Sequence, residues 1–269
     1  MNDSGFADIN GTRIFYEVAG NGRPFVMIHA GVADSRQWNN EFAHFADTCR
    51  VVRYDLRGYG RSPPAPGEFR HIADLEALSG HLAIDSPAIL MGCSMGGTLA
   101  MDFALAHPSH VSALIVVGSG PSGLKLDVPQ PEKFAEVERA FEAGDMGRVA
   151  ELEVQIWFDG IGREPGQVDQ AMRRLALDMN RIALTNESKN MGKRLPDAVT
   201  PAAERLNRLD LPVLVVVGRH DIPYILAAAD YMEAQIAGAQ KVEIEDAAHL
   251  ANMDQPAIFR RAVESFLNT

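Results

Sequence analysis

The stretch "LMGCSMGGTLAMDFA", residues 90–104, decides the fold of this chain. Its first residues end an apolar run typical of a buried strand, and its last residues have the apolar spacing of a helix. Between them, Ser94 forms the pattern Gly-x-Ser-x-Gly with Gly92 and Gly96. A strand that turns into a helix through this pattern holds the serine in a strained backbone conformation, and its hydroxyl projects above the sheet. The stretch therefore predicts a nucleophile at Ser94 in an α/β protein.

Further apolar runs of strand length recur along the chain, separated by helix-like stretches. The runs are "PFVMIH" (24–29), "VVRYD" (51–55), "AILMGC" (88–93), "VSALIVVG" (111–118) and "PVLVVVG" (212–218). Before them, "FADI" and "TRIFYEV" flank Asn10-Gly11, a dipeptide that favours a type I′ hairpin turn. Strands that alternate with helices predict a doubly wound, mostly parallel α/β sheet with helices on both faces.

The segment 129–201 interrupts this alternation, because it contains several helical patterns and no strand-like run. We therefore predict a core domain formed by residues 1–128 and 202–269, with a helical cap inserted at 129–201 before the last two strands. An insertion at the carboxyl ends of parallel strands is expected to lie over the ligand crevice and to act as a lid; a helical subdomain that only packs is the alternative.

Composition excludes several classes of partner. The 269 residues are 46% hydrophobic, enough for a sizeable core, and the formal net charge is −11. That charge argues against nucleic acid or an anionic membrane as the main partner, and no apolar run approaches the roughly 18 residues of a membrane span. Two cysteines, Cys49 and Cys93, without metal-site spacing, predict no metal. With no signal-peptide pattern, they favour a cytoplasmic location; monomer and homodimer both remain open.

A serine hydroxyl is a poor nucleophile unless a base accepts its proton, so histidine and acid partners are expected downstream. Asp221 follows the run "PVLVVVG", and His249 follows the next strand in "VEIEDAAHLANMDQP". Both positions lie at carboxyl ends of strands, the edge of the sheet where Ser94 is expected. Of the rivals, His220 adjoins the proposed acid, and Asp246 is too near His249 along the chain to orient it.

An oxyanion hole requires two backbone N–H donors. One donor is expected from Met95, the residue after the nucleophile. The other is expected from Gly31, with Val32 in reserve, in the loop "HAGVADSRQW" that follows a predicted strand. His29 at the end of that strand is expected to brace the loop through hydrogen bonds.

The residues "HAGVADSRQW", "YDLRGYGRS", "GCSMGG", "GRHD" and "AAHLANMDQP" together resemble the serine α/β-hydrolase superfamily. Within it the chain is most similar to the branch of 3-oxoadipate enol-lactonase-like proteins and small carboxylesterases. The resemblance implies the α/β-hydrolase fold, a triad of Ser94, Asp221 and His249, and neither a metal nor an organic cofactor. The chain departs from the family at Ala30, where a glycine is usual, and at Asp254, where a glutamate is usual.

The leading functional prediction is hydrolysis of a small-molecule carboxylic ester or lactone. Three alternatives stay open: hydrolysis of a C–C bond, perhydrolysis with peroxide in place of water, and a non-catalytic ligand receptor that keeps the triad. Hydrolases of C–C bonds in this superfamily typically have a "HGGGPG" loop and a tryptophan after the catalytic histidine. This chain has "HAGVAD" in the loop and Leu250 after His249.

The substrate pocket is the least determined part of the site. Candidate lining residues are Trp38, Trp157, Phe158, Ile222, Tyr224 and Leu250. Ordinary core packing remains the alternative for each, because such side chains are commonly buried. A carboxylate substrate requires a cation, for which Arg36 is the first candidate, followed by Arg163, Arg173 and Arg174.

Overall fold

The computed structural model describes residues 3–189 and 192–268 of the chain. These residues form ten strands: β1 (Asp3–Ile9), β2 (Thr12–Ala19), β3 (Arg23–Ile28), β4 (Cys49–Tyr54), β5 (Glu68–Phe69), β6 (Ala88–Cys93), β7 (Val111–Val117), β8 (Lys193–Arg194), β9 (Val213–Gly218) and β10 (Gln240–Ile244). The same ranges contain nine α-helices: α1 (Asn39–Phe45), α2 (His71–His81), α3 (Met95–Ala106), α4 (Lys133–Glu142), α5 (Met146–Val154), α6 (Gln170–Glu187), α7 (Pro223–Gln235), α8 (Ala251–Asp254) and α9 (Pro256–Leu267). None of these helices is both long and apolar enough to cross a membrane.

Eight of the strands form one sheet in the order β1-β2-β4-β3-β6-β7-β9-β10. The strands from β4 to β10 in this order pair in parallel, and β1 and β2 add an antiparallel edge. This arrangement confirms the predicted mostly parallel α/β sheet. The carboxyl ends of β3, β6, β7, β9 and β10 consequently lie along one edge, where the loops that follow them meet.

The antiparallel edge starts with the predicted hairpin. Asn10 and Gly11 have φ angles of 45° and 73°, and Ile9 pairs with Thr12. Two consecutive positive φ angles are the signature of a type I′ turn, whose twist matches that of the flanking strands.

The hydrophobic core fills both faces of the sheet. Along β3, Val26 and Ile28 pack in the cluster that includes residues of α2, α3 and α7. Phe25 and Met27 point the other way, into the cluster with residues of α1 and α9. Because successive side chains of a strand alternate between faces, a strand covered on both sides reads as a continuous apolar run.

The helices α4, α5 and α6 occupy the segment between β7 and β9 and pack on one another around a small core of their own. The expectation that this segment has no strand was wrong: β8 pairs in parallel with β5, which precedes α2. A strand of two residues is too short to show an apolar alternation, so the sequence carried no signal for it.

Candidate active site

Ser94 lies in the sharp turn between β6 and α3. Its φ and ψ angles are 52° and −117°, a positive-φ conformation that is uncommon for a residue with a Cβ atom. The turn is held by backbone hydrogen bonds, because the N–H of Ser94 donates to the carbonyl of Val117 at 2.9 Å and its carbonyl accepts from the N–H of Thr98 at 3.0 Å. The side chain is half-buried and therefore open to a ligand.

Two glycines allow this turn to pack against neighbouring backbone. A Cβ atom at Gly92 would lie 2.2 Å from the carbonyl oxygen of Gly96, and one at Gly96 would lie 2.3 Å from the carbonyl oxygen of Ile28. No side chain fits at either position without a backbone shift. The pattern around Ser94 is thus a consequence of the close approach of β6, α3 and the end of β3.

Cys93, the neighbour of Ser94, does not compete for the role of nucleophile. It is fully buried, and burial raises the pKa of its thiol to about 12. The thiol therefore stays protonated near neutral pH, whereas the thiolate is the nucleophilic form of cysteine.

His249 and Asp221 form a buried hydrogen-bonded pair at the same edge of the sheet. The His249 Nδ1 and the Asp221 Oδ2 are 2.8 Å apart, and the two residues are only 1% and 2% exposed. The other carboxylate oxygen, Oδ1, accepts from the N–H of Ile222 at 2.8 Å. Because a carboxylate only accepts, Nδ1 carries a proton, and Nε2 is the ring nitrogen left to act as a proton acceptor.

Several contacts bring His249 to the carboxyl ends of β6 and β7. Its carbonyl oxygen accepts from the Cys93 Sγ at 3.7 Å. A Cβ atom at Gly118, just beyond β7, would lie 2.7 Å from that oxygen and 3.2 Å from the His249 Nδ1. The ring of Trp157 lies against the imidazole, with centroids 4.5 Å apart. The structure therefore gathers the predicted nucleophile, base and acid at one edge.

The loop after β3 faces the amino end of α3. A Cβ atom at Gly31 would lie 3.8–3.9 Å from the side chain of Met95. His29 braces the loop in one tautomer: Nδ1–H donates to the carbonyl of Ala30 at 2.7 Å, and Nε2 accepts from the N–H of Leu56 at 2.9 Å. Burial lowers the pKa of His29, which favours this neutral form.

A buried polar network that the sequence reasoning missed lies beneath the same loop. The N–H of Ala30 donates to the Gln37 Oε1 at 2.9 Å, and the Gln37 Nε2 donates to the Asn252 Oδ1 at 3.2 Å. The Asn252 Nδ2 donates to the carboxyl of Glu41 at 3.0 Å. Burial raises the pKa of Glu41 to about 7, and the hydrogen bond from Asn252 opposes that rise. The network joins the loop after β3 to α8, the helix that follows His249.

Two cavities flank Met95. Ser94 opens onto a cleft of about 460 Å³, whose wall also includes Thr98, Ser119, Leu124 and Tyr224. The second cavity, of about 220 Å³, is lined by Gly31 and Val32 on the sheet side and by residues of α6 on the other. Met95 and Arg194 line both cavities and so form their boundary. Arg194 was missed because a lone arginine in a strand of two residues has no distinguishing sequence signal.

The predicted pocket residues divide into two groups. Tyr224 lines the Ser94 cleft, and Trp157 covers the imidazole of His249. The other four side chains are core residues in the structure: Trp38, Phe158, Ile222 and Leu250. Trp38, for example, is fully buried and packs against Phe259, with ring centroids 6.3 Å apart.

The arginines proposed as substrate cations are engaged by carboxylates. Arg36 bonds both Asp34 and Asp178, at 2.7 and 2.8 Å. Arg163 pairs with Asp254, which also accepts from the N–H of Ala248. Arg173 pairs with Asp159 and Glu151. The structure thus corrects the expectation that Arg36 is free to meet a substrate carboxylate: Asp34, two residues away, and Asp178, distant along the chain, both engage it. Arg174 is exposed.

The described parts of the chain contain no cluster of side chains arranged as metal ligands. No group of three or more His, Cys, Asp or Glu side chains in residues 3–189 and 192–268 is placed to hold an ion.

The chain matches curated proteins of known activity over most of its length. It is 27% identical to 3-oxoadipate enol-lactonase 2 of Acinetobacter baylyi, over 86% of this chain and 83% of the relative. It is 28% identical to the pimeloyl-[acyl-carrier protein] methyl ester esterase of Aeromonas hydrophila, over 92% of this chain and 96% of the relative.

Among solved structures, the enol-lactonase from Burkholderia xenovorans LB400 superposes with a TM-score of 0.80 at 22% identity, covering 98% of this chain and 100% of that one. This likeness shows a shared fold. Residues 25–262 match the alpha/beta hydrolase family, which agrees with the strand–turn–helix at Ser94 and with the sheet order. The chain belongs to the alpha/beta hydrolase family.

Proposed function

We propose that this protein hydrolyses small carboxylic esters or lactones through an acyl-enzyme on Ser94. The observation that carries the proposal is the buried 2.8 Å hydrogen bond between His249 and Asp221, at the edge of the sheet where the strained turn presents Ser94. A neutral imidazole oriented by a buried carboxylate is the base that a serine nucleophile requires.

In the first half of the reaction, the Ser94 Oγ attacks the substrate carbonyl and His249 Nε2 accepts the hydroxyl proton. Asp221 stabilises the imidazolium that forms, through the bond to Nδ1. The tetrahedral oxyanion is bound by the backbone N–H groups of Met95 and Gly31. Met95 begins α3, so the free N–H groups of that helix end face the developing negative charge.

The imidazolium then donates its proton to the leaving alkoxide, and an alcohol departs while the acyl group stays on Ser94. In the second half, His249 accepts a proton from water, which attacks the acyl carbonyl. Collapse of the second tetrahedral intermediate returns the proton to Ser94 and releases a carboxylic acid. With a lactone, alcohol and acid leave as one molecule.

The segment 129–201 serves in this proposal as the cap over the core formed by 1–128 and 202–269. The support for this role is Trp157, which follows α5 and lies on the imidazole of His249, while the carbonyl of Trp157 accepts from the N–H of Leu250 at 3.3 Å. A cap that touches the base restricts access of water to the reaction.

Hydrolysis of p-nitrophenyl acetate and butyrate by the wild type and by Ser94→Ala tests the proposal. We expect turnover in the wild type and a fall of at least about 10⁴-fold in kcat for the variant, as losses of triad serines are of that order or larger. Equal turnover by both proteins would refute the role of Ser94. No turnover from a folded wild type would favour a C–C bond substrate or a ligand receptor.

A matched pair of substitutions separates the acid of the triad from its neighbour. Asp221→Asn should lower kcat by about 10⁴-fold, because the amide favours the wrong tautomer of the histidine. Asp246→Asn removes an exposed carboxylate from the same loop as His249 and should leave kcat unchanged.

A further inference from the structure

The 220 Å³ cavity beside Met95, named here the acidic cavity, is separate from the cleft onto which Ser94 opens. Its polar wall includes Glu153, Glu187, Asn180 and His71, with Arg194 at the boundary to that cleft. Since one water occupies about 30 Å³ of liquid, the cavity has room for roughly seven water-sized groups. It adjoins Gly31 and Met95, so one arm of a substrate bound at Ser94 is able to reach it.

The carboxylates of Glu153 and Glu187 make the cavity acidic. The Asn180 Nδ2 donates to the Glu153 Oε2 at 2.8 Å, which leaves the Asn180 Oδ1 as an acceptor. Burial raises the pKa of Glu153, the hydrogen bond from Asn180 opposes the rise, and the nearby charge of Glu187 adds to it. A cation between the two carboxylates would relieve their mutual repulsion.

A buried histidine in the cavity wall has an unsatisfied nitrogen. His71 lines it and is only 2% exposed, yet its Nδ1 has no hydrogen-bond partner within the described part of the chain. A buried polar atom is normally hydrogen-bonded, and each exception requires an explanation. Burial and the neighbouring charges of Arg194 and Arg57 lower the pKa of His71 to about 3, so the ring is neutral and keeps one acceptor nitrogen.

The remaining wall suits an organic cation. The rings of Tyr59 and Phe69 line the cavity, and aromatic faces attract ammonium groups. Arg194, the basic residue at the boundary with the Ser94 cleft, is paired with Asp197 at 2.8 Å. Arg194 is thus engaged by a carboxylate, whereas no cation is paired with Glu153 or Glu187 in the described residues.

We propose that the acidic cavity binds an ammonium group carried on one arm of the substrate, with Glu153, Glu187 and Asn180 as its acceptors. The inference rests on the proposed function of Ser94 and narrows the substrate to amino-substituted esters or lactones. A carboxylate arm would meet two like charges here, which reverses the carboxylate preference that the sequence suggested.

Esters with arms of matched length test the inference. On the acyl side, the probes are p-nitrophenyl 6-aminohexanoate, its neutral analogue p-nitrophenyl heptanoate and the anionic p-nitrophenyl hydrogen pimelate. On the alcohol side, the probes are 2-(dimethylamino)ethyl butyrate, whose protonated amine keeps an N–H donor, and its neutral analogue 3-methylbutyl butyrate. In at least one series we expect kcat/KM to be about tenfold higher for the cationic ester than for the neutral one, the order of a charge-assisted contact. Ser94→Ala supplies the background rate.

Substitutions in the cavity assign the preference to it. Glu153→Gln keeps an acceptor for Asn180, and Glu187→Gln changes an exposed side chain, so both preserve packing. Each should lower the ratio of kcat/KM for the cationic ester to that for the neutral ester about threefold, because the two carboxylates share a preference of about tenfold. Glu142→Gln, at the exposed end of α4, should leave the ratio unchanged.

The outcomes separate the two proposals. Equal or higher kcat/KM for the neutral esters in both series, with turnover that depends on Ser94, would overturn the inference and leave the proposed function intact. Loss of the preference in Glu142→Gln as well would also overturn the assignment to this cavity. Absence of Ser94-dependent turnover with every ester would overturn the proposed function and the inference together.

Discussion

The loops at the carboxyl edge of the sheet and the helical segment 129–201 are held in place by different means. At the loops, backbone packs closely on backbone: a Cβ atom at Gly218, the last residue of β9, would lie 2.3 Å from the carbonyl oxygen of Ala247 in the loop after β10. In the helical segment, charged side chains join the elements, as in the contacts of Arg173 with Asp159 and Glu151.

This difference indicates that the loops position the reacting groups, whereas the helical segment selects the substrate. Close backbone contact leaves no space for a side chain and fixes the atoms around Ser94, which catalysis requires within a fraction of an ångström. Ion pairs between long side chains are adjustable and tolerate exchange. The acidic cavity draws Glu153 and Glu187 from this adjustable segment, whereas the triad proposed for catalysis lies entirely in the loops.

Of the three substitutions that test this comparison, Gly92→Ala should have the largest effect, because its Cβ atom would lie 2.2 Å from the carbonyl oxygen of Gly96. We expect a loss of about 3 kcal/mol in the free energy of unfolding, the upper range for overpacking. The displaced turn should lower kcat by about 100-fold. Urea unfolding and p-nitrophenyl butyrate hydrolysis measure the two effects.

Gly80→Ala is the matched control, since a Cβ atom at this helical glycine meets nothing within 4 Å. It should stabilise the protein by about 0.5–1 kcal/mol and leave kcat unchanged. Similar losses in both variants would contradict the view that the loops depend on backbone packing.

Glu41→Gln should show that the buried carboxyl group of Glu41 lowers the free energy of unfolding near neutral pH. Burial raises the pKa of Glu41 from 4.5 to about 7, so the folded state holds a proton that the unfolded state releases between these pH values. Stability therefore falls as pH rises through this window, by about 3 kcal/mol in total at about 1.4 kcal/mol per unit.

Glutamine keeps an acceptor for Asn252 and does not ionise, so the variant should gain stability relative to the wild type between pH 5 and pH 8. Urea unfolding across this range measures the difference. A difference that does not vary with pH would show that Glu41 is already compensated in the folded state.

Arg173→Leu should have the smallest effect of the three and tests the helical segment. It leaves the fully buried Asp159 without its partner. Because the guanidinium is partly exposed, we expect about 2 kcal/mol of destabilisation, less than for a fully buried pair. Addition of Asp159→Asn should restore part of the loss.

The exposed neighbour Arg174→Leu is the control for that variant and should change the thermal midpoint little. If Arg173→Leu and Arg174→Leu changed the thermal midpoint equally, the ion pair of Arg173 would not contribute to stability. Burial of apolar surface would then be what stabilises the helical segment.

Much of the fold was predictable from the sequence because its signals are local. The apolar run of β6, the glycines around Ser94 and the spacing in α3 all lie within residues 88–106, and each reports its own burial or backbone conformation. The chain order of Ser94, Asp221 and His249 at strand ends placed them at one edge before any distance was known.

The polar contacts within the site were not predictable in this way. Gln37 bonds Asn252 across 215 positions, and Arg36 bonds Asp178 across 142. No periodicity or motif in the sequence indicates either pairing, because these side chains come together only when the sheet and the helical segment pack.

The sequence by itself determined the parallel sheet, the serine turn and the strand ends that carry Asp221 and His249, since periodicity, glycine placement and chain order encode them. Only the tertiary structure decided that Trp38 is a core residue, that Arg36 is neutralised and that two glutamates share a cavity beside Met95. The physical reason is that charge compensation and cavity shape depend on distances between residues far apart in the chain.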